Sequence, residues 1–261
     1  MLLTVDIGNT TIALGILQRK KMIRQWKIET SLAMENLRKA LQKITLSIKN
    51  RNWPLEAIVI CSVVPAILPV VKSQLENGLS LKACVIGRDI KVPIKNRYRN
   101  PKQVGQDRLV CAYAAMMTYG APAIVIDLGT AITFDIVSQR REYLGGIIVS
   151  GIRLSAESLS KKTALLPKVN IQTPKAIIGR NTQESILSGL FYGYGALCSG
   201  LIESLAKKIH PRPTVIMTGC HAMIMKKFIA SPIHALDNYL VFHGMQMLFT
   251  AKFSAIPSSS R

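Results

Sequence analysis

The sequence predicts an α/β protein built from two related domains, and three observations predict it. First, one motif occurs twice: LLTVDIGNTTIALGI, carrying Asp6, Gly8, Asn9 and Thr10, returns as AIVIDLGTAITFDIV, carrying Asp127, Gly129, Thr130 and Thr133. Each copy is an apolar β-branched run, an Asp-x-Gly, small hydroxyl residues and a second apolar run, the pattern of two strands joined by a tight turn. Second, segments of strand and helix periodicity alternate after each copy. Third, the pattern restarts near residue 120, which divides the chain into an N-terminal domain over 1–118 and a C-terminal domain over 119–261.

The first copy opens a meander, with strands expected at 2–6, 11–17 and 22–29 and a polar turn at Gln18-Arg19-Lys20-Lys21. Leu32, Leu37, Leu41, Ile44 and Ile48 share one helical face over 31–50, and Trp53-Pro54 ends that helix. A buried strand at 57–63, a helix at 65–77 and a strand at 82–86 follow. Residues 87–106 are basic, contain Pro93 and Pro101 and lack periodicity, so they read as a loop; a helix over 107–119 begins at Asp107. The second copy supplies strands at 123–127 and 132–137, then a turn at Arg140-Arg141-Glu142 and a Gly-rich apolar stretch over 143–152. A helix at 152–161, a loop with Pro167 and Pro174, a long helix at 181–209 and a strand at 214–218 complete the reading. Gly189, Gly193, Gly195 and Gly200 would let the long helix approach a neighbour closely, and Ser258-Ser259-Ser260 reads as a frayed tail.

Composition narrows the class. At 261 residues and 49% hydrophobic with 18% charged, the chain can fill substantial cores and is not a disordered one. The net charge of +20 is spread along both halves, with no Lys/Arg block that reads as a nucleic-acid tail, so a solvated basic surface accounts for it. Five irregularly spaced cysteines with no CxxC pair suggest reduced thiols in a cytoplasmic protein, and four isolated histidines without HExxH argue against a zinc site. Met1-Leu2-Leu3 runs straight into a strand pattern rather than a signal peptide, and Ser62, Pro65 and Pro69 interrupt the longest apolar stretch, Ala57 to Val71. Among the remaining residues, the methionines from Met217 to Met247 read as core fillers, the histidines have no partner spacing, and Tyr192 and Tyr194 read as helix packing.

A single Asp-x-Gly is common hairpin punctuation, but two copies with the same hydroxyl pattern suggest a site. Gly8 and Gly129 let a phosphate approach the backbone; Asn9, Thr10 and Thr130 offer donors; turn N–H groups form an anion nest. Asp6 and Asp127 are hard oxygen ligands for a cation that neutralises phosphate charge. Two such tips facing one another across a cleft would bind a nucleoside triphosphate and its metal ion, and the absence of GxxxxGK[ST] and GxGxxG disfavours P-loop and Rossmann alternatives. A third element is Tyr98-Arg99-Asn100-Pro101-Lys102-Gln103-Val104-Gly105-Gln106-Asp107-Arg108. An Asp at a helix start is usually a cap. Here it follows a glycine and precedes Arg108, so it could equally accept a proton from an attacking hydroxyl while Arg108 holds an anion.

Taken together, DIGNT, YRNPKQVGQDR, DLGTAIT, the YLGG segment followed by Ser150-Gly151, and GRNT resemble the type III pantothenate kinase family in order and spacing from residue 6 to about 195. That resemblance implies two ribonuclease-H-like, actin-like ATPase domains with ATP between them, in the acetate and sugar kinase, Hsp70 and actin superfamily. It implies ATP-dependent phosphorylation of pantothenate to 4′-phosphopantothenate, the first step of coenzyme A synthesis. It also implies Mg²⁺, a monovalent cation (K⁺ or NH₄⁺), and a homodimer with the active site near the interface. By the same resemblance, Asp107 is the general base. Tyr98, Asn100, Gly105, Gln106, Arg108 and Thr182 bind pantothenate, with Thr182 at the dimer interface. Asp6, Ile7, Gly8, Asn9, Thr10, Thr11, Ile12 and Ala13 form the ATP-phosphate loop. Thr130 contacts ATP, Asp127 holds the monovalent cation, and Mg²⁺ is oriented through Asp6.

The chain departs from the family pattern where Ser150-Gly151 replaces Pro-Gly, where Thr218-Gly219-Cys220 replaces Thr-Gly-Gly, and at Asp237-Asn238-Tyr239-Leu240, a loose match. Two alternatives stay open at this point: a kinase of the same superfamily acting on another small hydroxylated substrate, and an accessory factor in transcription. No helix-turn-helix, zinc-finger or aromatic–basic pattern supports the second.

Overall fold

The computed structural model describes residues 1–254, so the expected frayed tail at Ser258-Ser259-Ser260 lies outside the described residues. The chain divides into two compact units. Unit 1 takes Met1–Ile94, Asn100–Ala114 and the described residues from Tyr239 onward; unit 2 takes Lys95–Arg99 and Ala115–Asn238.

Unit 1 begins with β1 (Leu2–Ile7), β2 (Thr11–Gln18) and β3 (Lys21–Glu29), an antiparallel meander. Then come α1 (Met34–Lys49), β4 (Ala57–Ser62), α2 (Leu68–Leu79) and β5 (Ala83–Val85). The sheet order is β3-β2-β1-β4-β5, with β4 parallel to β1 and β5 parallel to β4. β1 and β4 are the central strands, and their continuous apolar runs match burial on both faces: Leu3, Val5, Ile58, Val59 and Ile60 are fully enclosed. On α1 the expected stripe of Leu37, Leu41, Ile44 and Ile48 joins this core. The helix expected from 65 starts at Leu68 with Pro69 in its first turn, where a missing N–H does no harm, and ends at Ser80 in the left-handed region.

The segment read as a loop over 87–106 holds β6 (Lys95–Asn96) and a 3-10 turn over Pro101–Gln103, and α3 (Gln106–Tyr119) follows. β6 is too short to show a periodicity, so propensity alone could not find it; it forms by pairing in parallel with a later strand.

Unit 2 repeats the meander as β7 (Ala123–Leu128), β8 (Ala131–Val137) and β9 (Glu142–Ser150), so the Gly-rich stretch is a strand. It continues with α4 (Ile152–Lys162), α5 (Thr182–Ser188), α6 (Tyr194–Ala206), β10 (Thr214–Thr218), α7 (Ala222–Met225) and β11 (Ala235–Leu236). The sheet order is β11-β10-β7-β8-β9-β6, with β10 parallel to β7. Apart from the edge strand β6, this is the strand order of unit 1: three antiparallel strands, then parallel strands beside the first. The duplication expected from the two Asp-x-Gly copies is one topology built twice.

The single long helix expected at 181–209 is α5 and α6 joined through a π turn over Gly189–Gly193. Its span Thr182–Ala206 is long and apolar enough to cross a membrane by length and composition, but Ile186, Leu190, Phe191, Cys198 and Ile202 lie in the unit 2 core. Close approach occurs at only one of its four glycines. A Cβ on Gly195 would fall 2.1 Å from the Phe228 carbonyl oxygen, while Gly189, Gly193 and Gly200 have nothing within 4 Å. Met217, Met225 and Met245 are core fillers as expected, but Met223 is 63% exposed. The sequence reading also missed α8 (Leu240–Ser254), whose Gly244 packs against Val110 and Ala114 of α3 within unit 1.

Candidate active site

In unit 1 the first Asp-x-Gly turn closes when the Gly8 N–H donates to the Thr11 carbonyl at 3.0 Å. Thr30, just beyond β3, braces it: its N–H donates to the Thr10 carbonyl at 3.0 Å and its hydroxyl to the Gly8 carbonyl at 2.7 Å. Asn9 and Thr10 are exposed at the tip, while Asp6, Thr11 and Ala13 are half-buried. Ile7 and Ile12 are enclosed in the core, so only their backbone can face a ligand.

Asp6 lies across from Ala13 on β2 and from Cys61 on β4. Cys61 is enclosed, and burial pushes its thiol well above the usual range, helped by the negative charges of Asp6 and Asp107. Val63, just beyond the end of β4, joins the two segments: its N–H donates to the Ile7 carbonyl at 3.0 Å, and a Cβ on Gly105, beside Asp107, would lie 3.3 Å from its side chain. Cys61 was not singled out from sequence; only the register Asp6–Cys61 reveals it.

The Asp107 side chain does not cap its helix in the ordinary way. Its Oδ1 turns back toward Gly105, where a Cβ would sit 2.4 Å away, and accepts the Arg108 N–H at 2.8 Å. Gly105 is thus the residue that makes room for the carboxylate. Burial raises the Asp107 carboxyl above the ordinary aspartate range, and the Arg108 N–H and guanidinium offset only part of that rise. A half-buried carboxylate with a raised pKa, a backbone donor fixing one oxygen and an arginine beside it is suited to accept a proton from a hydroxyl. In the preceding segment, the Asn100 carboxamide oxygen accepts the Lys102 N–H at 3.3 Å, and the Gln106 carboxamide lies against Gly87.

In unit 2 the second turn is shorter. The Gly129 N–H donates to the Ala131 carbonyl at 3.1 Å, the Gly151 N–H to the Thr130 carbonyl at 3.0 Å, and the His221 N–H to the Leu128 carbonyl at 3.1 Å. Gly219 (φ +98°) presses on this turn so closely that a Cβ would meet Asp127 Oδ1 at 2.3 Å. Thr130 is exposed and Asp127 half-buried. Tyr98 belongs to the same unit, its ring centroid 6.5 Å from that of Tyr143. Thr182 is exposed as the first residue of α5. The GRNT motif around it also caps that helix, since Asn181 Oδ1 accepts the Glu184 N–H at 2.8 Å and Glu184 accepts the Arg180 N–H at 2.9 Å. Of the departures, Ser150 Oγ lies 2.8 Å from Ser155 Oγ and 3.0 Å from the Tyr194 hydroxyl, and Cys220 Sγ lies 3.3 Å from His221 Nδ1.

The predicted residues thus gather as Asp6 to Ala13 and Gly105 to Arg108 in unit 1, with Asn100 in that unit too, and Tyr98, Asp127, Thr130 and Thr182 in unit 2. Sequence reasoning missed Thr30 and the buried Asp135 on β8; an aspartate inside the run AITFDIV was the available signal. Among the described residues, no three His, Cys, Asp or Glu side chains form a metal cluster. A divalent ion bound with a nucleotide commonly takes one carboxylate together with phosphate oxygens and water, so it would need no such cluster.

Comparison with known proteins places the chain in a family. The family model described as type III pantothenate kinase matches residues 2–204. A type III pantothenate kinase of Persephonella marina is 40% identical over 253 residues, covering 96% of this chain and 98% of the relative. A Campylobacter jejuni structure, titled as a conserved putative Baf family transcriptional activator, shares the fold at a TM-score of 0.59 and 20% identity, covering 97% of this chain and 99% of that one. The ethanolamine utilization protein EutJ of Carboxydothermus hydrogenoformans shares it at a TM-score of 0.54 and 11% identity, covering 94% and 89%. The twice-built α/β topology is thus a fold shared with both of these structures. With a family model spanning most of its length and a 40% identical relative of full length, the chain belongs to the type III pantothenate kinase family.

Proposed function

We infer that the protein is a kinase that transfers the γ-phosphoryl group of ATP to the primary hydroxyl of pantothenate, giving 4′-phosphopantothenate and opening coenzyme A synthesis. The observation that carries the chemistry is Asp107: a half-buried carboxylate folded over Gly105, raised in pKa by burial and adjacent to Arg108. Family membership supplies the substrate.

In this reading Asp107 accepts the proton of the attacking hydroxyl and Arg108 holds negative charge at the same helix start. Tyr98, Asn100, Gly105, Gln106 and Thr182 orient pantothenate. The backbone from Asp6 to Ala13, with the Asn9 and Thr10 side chains, receives the ATP phosphates, and Thr130 contacts the nucleotide. Asp6 would hold Mg²⁺ through the nucleotide, and Asp127 a K⁺ or NH₄⁺ ion; these cations supply positive charge that offsets the charge developing on the phosphoryl oxygens.

A homodimer is part of the same reading. β9 turns Leu144 (45% exposed) and Ile148 (60%) outward on one face, and α4 exposes Leu154 (47%), so a second copy would cover apolar surface that a monomer leaves in water. The cytoplasm is the proposed compartment, where the thiols stay reduced.

The test is ADP release on adding pantothenate, with and without K⁺. Release that depends on pantothenate and rises with K⁺ is expected. Release that sugars or acetate support equally well would favour a related kinase of another substrate.

A further inference from the structure

β8 is an apolar strand with a carboxylate in its middle: Asp135 is 1% exposed, between Phe134 and Ile136. An interior carboxylate is unfavourable unless it is well hydrogen-bonded, and two hydroxyls serve it here. The Tyr143 hydroxyl donates to Oδ1 at 2.7 Å and the Thr133 hydroxyl to Oδ2 at 3.1 Å. No catalytic step uses this group. For packing alone, an apolar pair of similar volume would do as well or better. Its presence points to something Tyr143 must hold in place.

Tyr143 is fully enclosed on β9, at a bulge that slips the β8–β9 register between Ile136 and Val137. Such bulges re-aim side chains. Three features tie this point to residues 95–99. The Tyr143 carbonyl accepts the Arg97 N–H at 2.8 Å, Asn96 pairs with Tyr143, and Arg97 Nη2 and Lys95 Nζ lie 2.7 and 3.4 Å from Glu142 Oε1. The Tyr98 ring then rests on Tyr143 and on Gly145, where a Cβ would come within 3.4 Å of Tyr98 Cε2.

We propose that Asp135 and Tyr143 are positioning residues for pantothenate recognition: the buried carboxylate fixes the Tyr143 ring, and that ring with Gly145 forms the floor that sets Tyr98. This rests on the reading that Tyr98 contacts pantothenate. The hydroxyl of Tyr143 is the part that matters, because Phe would keep the ring and lose the bond to Asp135.

The experiment is a kinetic double-mutant cycle on the full chain with Y143F, Y98A and Y143F/Y98A. Y143F should raise the KM for pantothenate about fivefold and leave kcat and the KM for ATP within about twofold. Y98A should raise the pantothenate KM more, and the double variant should add nothing to Y98A, since Tyr143 acts through Tyr98. A merely structural role would instead shift both substrates together or give additive effects, and either result overturns the proposal. If Y98A raises the pantothenate KM and Y143F does not, the proposal fails while the pocket assignment stands. If Y98A leaves it unchanged, both fail. D135N serves as a second probe, with pantothenate binding measured by calorimetry should its turnover be low, and should match Y143F in direction.

Discussion

The two Asp-x-Gly turns start from the same sequence logic and are held by different means. In unit 1, three residues separate β1 from β2, and the hydroxyl and N–H of Thr30 brace the turn from outside. In unit 2, two residues separate β7 from β8, and backbone braces the turn on both sides, through Gly151 and His221 N–H groups and the close press of Gly219. A hydroxyl brace has slack, because the side chain can rotate and water can replace it. The Thr30 N–H on the Thr10 carbonyl and the Gly151 N–H on the Thr130 carbonyl are equivalent backbone braces at 3.0 Å, so the difference lies in the press of Gly219, backbone against backbone, which has no such slack. The longer turn leaves two polar residues, Asn9 and Thr10, exposed at its tip, whereas the tighter one leaves Thr130 alone exposed there, and each follows one half-buried aspartate.

In the proposed mechanism neither turn performs the proton transfer, so the largest effect should come from outside both. Asp107→Asn should lower kcat by about 10²- to 10⁴-fold with the KM for ATP within about twofold, measured by steady-state ADP release. Full turnover would remove Asp107 as the base. Gly105→Ala should lower kcat in the same direction with folding intact, because its Cβ would displace Oδ1. Stability should move the other way in the asparagine variant. Burial raises the Asp107 carboxyl, so the folded state binds its proton more tightly than the unfolded chain does. Its favourable contribution is present at acid pH and is lost as pH rises from about 4 through the folded pKa. At neutral pH the charged group is therefore a liability that Asn removes: the variant should melt at or above the wild-type temperature at pH 7, and the advantage should vanish in acid.

The next contrast is between the turns themselves. Gly219→Ala places a Cβ 2.3 Å from Asp127 Oδ1 and 2.6 Å from the Leu128 nitrogen at a φ of +98°, whereas at Gly8 the nearest atom is the Thr11 carbonyl oxygen at 3.2 Å. Urea unfolding should show a loss of about 3 kcal/mol for the first and under about 1 kcal/mol for the second. Equal losses would break the distinction between slack and rigid bracing. Thr30→Val should fall near the lower figure, about 1 kcal/mol, since it leaves the Gly8 carbonyl without the hydroxyl while keeping the shape. The same variant should raise the KM for ATP a few-fold if the brace sets the phosphate loop.

Much of this was legible in the sequence because the informative signals were local. The two meanders, α1 and the turn tips follow from period-two and period-3.6 patterns in short windows, and the central strands announced themselves as unbroken apolar runs. What escaped reading depends on partners far along the chain. β6 is two residues that become a strand only by pairing with β9. α8 is apolar around most of its surface, so no stripe marked it. In the proposed site, the Gly-x-Asp-Arg setting marks Asp107 as a candidate. The reason for Gly105 was not, because the fold of the carboxylate back over it is a matter of coordinates. Asp135 has its partner, the Tyr143 hydroxyl, on the neighbouring strand, a pairing that depends on coordinates.

The smallest effect tests how far the rigid turn depends on backbone alone. Cys220 stands where the family pattern has a second glycine, and its thiol reaches back to the Leu128 carbonyl at 3.7 Å and to His221 Nδ1 at 3.3 Å. A thiol is a weak donor, and this one sits on an exposed side chain. The turn already has the His221 N–H on the Leu128 carbonyl at 3.1 Å, so the thiol adds little to what the backbone provides. Cys220→Ala should therefore change unfolding free energy by less than about 0.5 kcal/mol, the range of ordinary surface changes, and leave the KM for ATP within about twofold. Cys220→Gly extends the test to the family's own residue. If it lowered the KM for ATP tenfold, the Cys220 side chain would be obstructing the nucleotide, and bracing of the second turn could no longer be assigned to backbone alone.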